Sequence, residues 1–171
     1  MVILGPDGQP AIPRRLPLAA RDSWPIPNEI GYDLNPVQAR AIVQDWRQRR
    51  PCARFRSISG VYNCLGMVFA SRRTFIDDMT LLREIFLHDG YRLVDPPPEA
   101  ITGDVVVYKN LPSKEPTHVG IIIVEPNVGA ATFDVTVLSK WGHCGEYLHS
   151  LDCVPDAYGV ASEYWTERVT I

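Results

Sequence analysis

No stretch of this chain stays apolar for long enough to span a bilayer as a helix. The first residues, Met1-Val2-Ile3-Leu4-Gly5-Pro6, have neither a basic leader nor a long apolar core, so no secretion signal is expected. Cysteine is scarce. Four in 171 residues do not make a disulfide framework, and the expectation is a reducing interior, most simply the cytoplasm, with export by a signal-independent route left open. Positive charge is not in surplus either. Lys and Arg number 17 against 20 Asp and Glu, a net charge of −3, which leaves no electrostatic footprint for nucleic acid. The one basic cluster, Arg47, Arg49, Arg50, Arg54 and Arg56, reads as a solvated helix end, with a patch for phosphate or an acidic partner as the other reading.

What is present suffices for one core: 46% of residues are hydrophobic and 22% charged. Residues 1–34 hold Pro6, Pro10, Pro13, Pro17, Pro25 and Pro27, and read as an extended arm that Trp24 and Ile26 could pin to the body. Residues 35–171 then form a single domain. Asn35-Pro36-Val37-Gln38 is a helix start, followed by Ala39, Ile42, Val43 and Trp46 on one face and stopped by Pro51. Asp77 or Asp78 caps a further helix with Met79, Leu82, Ile85 and Phe86 inward and Gly90 at its end. After the break at Pro96-Pro97-Pro98 the period changes. Residues 104–108, 118–124 and 132–137 read as strands, with a hairpin at 126–129 and a last strand around Tyr164, Trp165 and Val169. Helices first and an antiparallel meander after them argue for an α+β fold, N-terminal helices packed on a small antiparallel sheet.

The chemistry gathers around Cys64. Leu65, Val68 and Phe69 share a helical face, so Cys64 falls in the first turn, where free backbone N–H groups favour a thiolate. His118 opens a strand that a helix packed on the sheet can reach, and Ser139-Lys140-Trp141-Gly142 ends the next one. A thiol, an imidazole and a polar group that fixes the ring are the parts of a cysteine hydrolase. By residue type alone the plainer readings are a core cysteine, a strand-edge histidine and a turn hydroxyl.

Three segments resemble one family. Asn63-Cys64-Leu65-Gly66-Met67-Val68 is similar to the nucleophile helix of papain-like cysteine hydrolases, the NlpC type in particular. Gly103-Asp104-Val105-Val106-Val107-Tyr108 with His118-Val119-Gly120-Ile121 resembles the Gly-Asp and His-Val-Gly-Ile pattern of that type and of CHAP amidases. Leu138-Ser139-Lys140-Trp141-Gly142 with Gly145-Glu146-Tyr147 resembles the Asn-Ser-Trp-Gly and Gly-Glu segment of papain itself. The likeness spans about residues 60–147. It implies a papain-like fold and cleavage of an amide or isopeptide bond in a peptide or peptidoglycan-like substrate, with no cofactor. Cys64 would be nucleophile, His118 general acid and base, and Ser139 the orienting group. Ser139 stands where the family has Asn, so Lys140, Glu146 and His149 remain alternatives for that role. The Cys64 N–H, with Tyr62 or Asn63, would form the oxyanion hole. Two rival readings stand beside this one. His143, Cys144, His149 and Cys153, with Cys52, could bind zinc in a small metal-stabilised domain. The chain could also be a non-catalytic binding or scaffolding domain of the same fold.

Overall fold

Asn35 starts the first helix by accepting from the Val37 N–H, and α1 runs Pro36–Arg49. The computed structural model describes residues 14–95, 100–127 and 132–168. The prolines before residue 14, Pro96-Pro97-Pro98, the tip of the 126–129 hairpin and Val169 lie outside them. After α1 come β1 (Arg54–Ser57), α2 (Cys64–Phe69), a 3₁₀ turn (Met79–Leu81) capped by Asp78, α3 (Leu82–Asp89) and β2 (Arg92–Val94). The rest is strand: β3 (Val105–Lys109), β4 (Pro116–Pro126), β5 (Phe133–Lys140), β6 (Glu146–Ser150) and β7 (Val160–Thr166), with a second 3₁₀ turn at Asp156–Tyr158. No helix among the described residues is long and apolar enough to cross a membrane.

All seven strands join one antiparallel sheet in the order β1-β6-β5-β4-β3-β7-β2. Side chains alternate between its faces, so the β-branched runs of β3 and β4 feed two separate cores. Val105, Val107 and Val119 pack with Cys64, Leu65, Leu82, Ile85 and Phe86 under α2 and α3. Val106, Tyr108, Ile122 and Val137 pack with Val154 and Tyr164 on the opposite face. The chain from residue 14 folds back onto the helical side. Ile26 and Ala20 are buried there, Trp24 stacks on His88, and Glu29 bridges to Phe75.

This architecture overturns the expected α+β, papain-like layout. Among the described residues the fold is mainly a seven-stranded antiparallel sheet with three short helices of 14, 6 and 8 residues, more β-rich than helices on a small sheet. The strands β1, β2 and β6 read Arg-Phe-Arg-Ser, Arg-Leu-Val and Glu-Tyr-Leu-His-Ser. Such short, partly polar segments carry no clear period of two, and they become strands through their neighbours. α1, for its part, buries no residue fully. A second correction concerns cysteine: Cys52 and Cys153 are joined in a disulfide, leaving Cys64 and Cys144 free.

Candidate active site

Asn63 fixes the start of α2. Its side-chain oxygen accepts from Gly66 N and Ile76 N, and its amide donates to Ile76 O, so cap and neighbouring turn are locked together. Cys64 follows, only 9% exposed. Burial pushes its thiol up to about 11, against the pull of the backbone N–H groups of Val119, Leu65 and Cys64.

Val119 packs in the same core as Cys64. Ile122 exchanges its backbone bonds with the 103–104 segment, on the β3 side. By alternation Val119 aims its N–H toward β5. The β4–β5 ladder, however, ends at the pair Gly120 and Ser139. Beyond it Val119 continues into the core that it shares with Cys64.

His118 is next to Val119 in the chain but on the other face. It pairs with Tyr108, while Val119 pairs with Val107 under α2. Its ring lies flat on Tyr158, with centroids 4.0 Å apart and planes 5° apart, and is 1% exposed. Burial, and then the charge of His149, bring its pKa down to about 3. Its Nε2 is the one buried side-chain polar atom without a hydrogen-bond partner among the described residues. No hydrogen bond joins Cys64 to His118. The segments that carry them touch, and the side chains do not.

Ser139 shares the His118 face but orients a different ring. His149 Nδ1 lies 2.8 Å from Ser150 O, so that nitrogen carries the proton and Nε2 accepts from the Ser139 hydroxyl at 2.8 Å. Ser139 Oγ also accepts from Trp141 Nε1 at 2.9 Å. Tyr62 OH donates to Glu146 Oε1 at 2.8 Å, and Arg72 Nε to the same oxygen at 2.5 Å. The Tyr62 hydroxyl and the Asn63 amide, both candidates for the oxyanion hole, are thus already committed. Lys140 is fully buried on the α2 face, its Nζ bonded to Gly142 O and set 5.4 Å from the Tyr62 ring centroid.

No family model, curated protein or solved structure matches this chain. The site therefore stands on its own geometry. The zinc set is not assembled: Cys153 is bonded to Cys52, both nitrogens of His149 are engaged, and His143 lies against Phe75. Among the described residues no group of three or more His, Cys, Asp or Glu could hold a metal. A cleft of about 290 Å³, walled by Glu29, Tyr32, Phe75, Asp77 and His143, opens beside the start of α2. It is tied to that start through Gly31 N to Val61 O and through Asn63 to Ile76, though neither Cys64 nor His118 lines it. Sequence reasoning missed Tyr158 altogether. It weighed Lys140 only as an acceptor, although a lysine between strand residues and a buried Trp was a visible signal.

Proposed function

We propose that this protein is a cysteine hydrolase that cleaves an amide or isopeptide bond, with Cys64 as nucleophile and His118 as general acid and base. The observation that carries the reading is the place of Cys64 at the head of α2, in one core with Val119, the residue next to a buried imidazole whose Nε2 has no partner. A buried polar nitrogen left unpaired is costly, and such costs gather at functional sites. Because His118 and Cys64 lie on opposite faces of β4, the reading requires the first residues of β4 to turn over, off Tyr158, to bring ring and sulfur together.

With the thiol raised to about 11 and the imidazole lowered to about 3, both are neutral near pH 7. The reaction would then begin by general base catalysis rather than from a standing ion pair. The Cys64 proton passes to His118 as sulfur bonds to the carbonyl carbon. The C–N bond breaks and that proton leaves with the amine. His118 next takes a proton from water, whose oxygen attacks the thioester and releases the thiol. His149, held by Ser139, supports the buried polar row behind His118. A peptide or wall-peptide substrate follows from the family resemblance, and the cleft at Tyr32, Phe75 and Asp77 is the surface we assign to receive it. The cytoplasmic setting expected from the sequence sits poorly with the Cys52–Cys153 bond, which favours an oxidising compartment.

A thiol-reactive peptide-amide probe tests the reading. Cys64 should be labelled faster than Cys144, and Cys64→Ala and His118→Ala should each abolish turnover of a peptide-amide panel while the fold persists. Labelling of Cys64 no faster than Cys144, with no turnover, would favour a binding domain.

A further inference from the structure

The arginines of α1 and β1 divide in two. Arg49 is tied to Asp45, and Arg50 to Asp156. Arg40, Arg47 and Arg54 are exposed and form no ion pair among the described residues. These three line one groove between α1 and β1, made of three hollows of about 430, 490 and 380 Å³. The first two hollows share Ala39, Arg40 and Ile58, and the last two share Arg47 and Phe55, so the groove is continuous. From Pro36 to Arg47 the helix walls it over about 17 Å.

Floor and rim differ in chemistry. Ala39, Val43, Phe55 and Ile58 are half-buried and form an apolar floor, and the exposed arginines stand around it. A helix of this length is normally held by its apolar stripe, yet α1 buries no residue fully and leaves part of that stripe open to the groove. The Arg47 guanidinium lies over the Phe55 ring, 5.7 Å from its centroid, which seats the charge beside the floor. The one carboxylate that lines the groove, Asp33, already accepts from Ser59 Oγ at 2.7 Å and Gly60 N at 3.1 Å. β1 is an end strand that pairs with β6 alone, so its outer backbone groups have no strand beside them.

We propose that this groove docks an acidic, extended segment of a partner protein, with apolar side chains between its carboxylates. Charge complementarity selects the occupant. Three guanidinium groups without a carboxylate match carboxylates, which each can bind through two parallel N–H donors. A nucleic acid would meet the arginines through its phosphates and leave the apolar floor uncovered. The chain as a whole carries a charge of −3, so the attraction for an acidic partner is confined to this surface. Residues 1–13 contain a single carboxylate, Asp7, too few to supply the occupant from within the chain. Arg40 and Arg47 lie about two helical turns apart on one face, or about 10 Å, which an extended segment spans in about three residues. Neither Cys64 nor His118 lines the groove, so this docking is independent of the hydrolase reading.

Amide NMR of the full chain, titrated with a synthetic peptide of repeating Glu-Leu-Ser, tests this down to millimolar affinity. The shift changes should saturate, map to α1 and β1, and require more peptide as salt is added. Arg40→Gln combined with Arg47→Gln should weaken binding about tenfold or more, while Arg49→Gln, outside the groove, leaves it unchanged. Peptides of repeating Gln-Leu-Ser and Glu-Ser-Ser, which remove the charge and the apolar side chain in turn, should each bind about tenfold more weakly. These two comparisons need no variant and serve if the double substitution does not fold. Shifts that do not saturate, shifts that map elsewhere, or equal binding of the three peptides would overturn the proposal. So would tighter binding of an oligothymidylate, which would assign the groove to nucleic acid. Concentration-dependent broadening of the α1 and β1 signals without peptide would assign it instead to a second copy of this chain.

Discussion

His118 meets acid as a neutral ring sealed between Tyr108 and Tyr158. Folded, it takes a proton only near pH 3, whereas in the unfolded chain it would do so near about 6.5. Between those values the unfolded state holds more protons, so stability is full above about pH 6.5 and falls as pH drops toward 3. The slope from this ring reaches about 1.4 kcal/mol per pH unit. His143 and His149 are lowered too and act in the same direction. Melting temperature against pH should therefore decline below about pH 6.5, less steeply in His118→Gln. An identical slope in the variant would mean that the ring is not buried neutral. Gly66 sets a second residue-scale limit. A Cβ there would sit 1.7 Å from the Thr74 carbonyl oxygen, backbone that cannot yield cheaply. Gly66→Ala should cost more than about 3 kcal/mol by denaturant melt, although alanine is the better helix former.

At the scale of elements, α1 and α3 look alike in sequence but bear different loads. Ile85 of α3 is completely buried in the core beneath the helices, while Ile42 of α1 is only partly covered. Ile85→Ala should cost about 2–5 kcal/mol and Ile42→Ala about 1 or less, and equal losses would mean that α1 packs far more tightly than described. What could be read in advance follows the same line. The α1 start, the Asp78 cap, left-handed Gly90 and the runs of β3 and β4 are local signals, and they stand where the residues put them. β1, β2 and β6 depend on partners distant in the chain, so the sheet grew beyond what local pattern conveys. The face of His118 was hidden for a different reason. His118-Val119-Gly120-Ile121-Ile122 is packed on both sides, and a strand buried twice shows no alternation from which to tell one face from the other. Ser139 followed suit, because its partner His149 lies on β6, a strand that local pattern does not reveal.

Over the whole molecule, one covalent tie joins the segment before β1 to the connection that leaves β6. Cys52, just after α1, is bonded to Cys153 in the connection between β6 and β7, across a separation of 101 residues. That connection continues into the 3₁₀ turn Asp156–Tyr158, and Tyr158 is the ring stacked on His118. The other tie to α1's end, Arg50 to Asp156, involves a largely exposed carboxylate and adds little. Closing so long a loop restricts the unfolded chain, worth about 2–5 kcal/mol. Replacing both Cys52 and Cys153 by Ser should lower stability by that amount in denaturant melts. It should also loosen the seat of Tyr158, free the His118 ring to leave its stack, and quicken alkylation of Cys64 at conditions where the variant remains folded. A stability loss without any change in Cys64 reactivity would show that Tyr158 is held by the core of the opposite face, through its packing with Tyr108 and Val154, rather than by the disulfide.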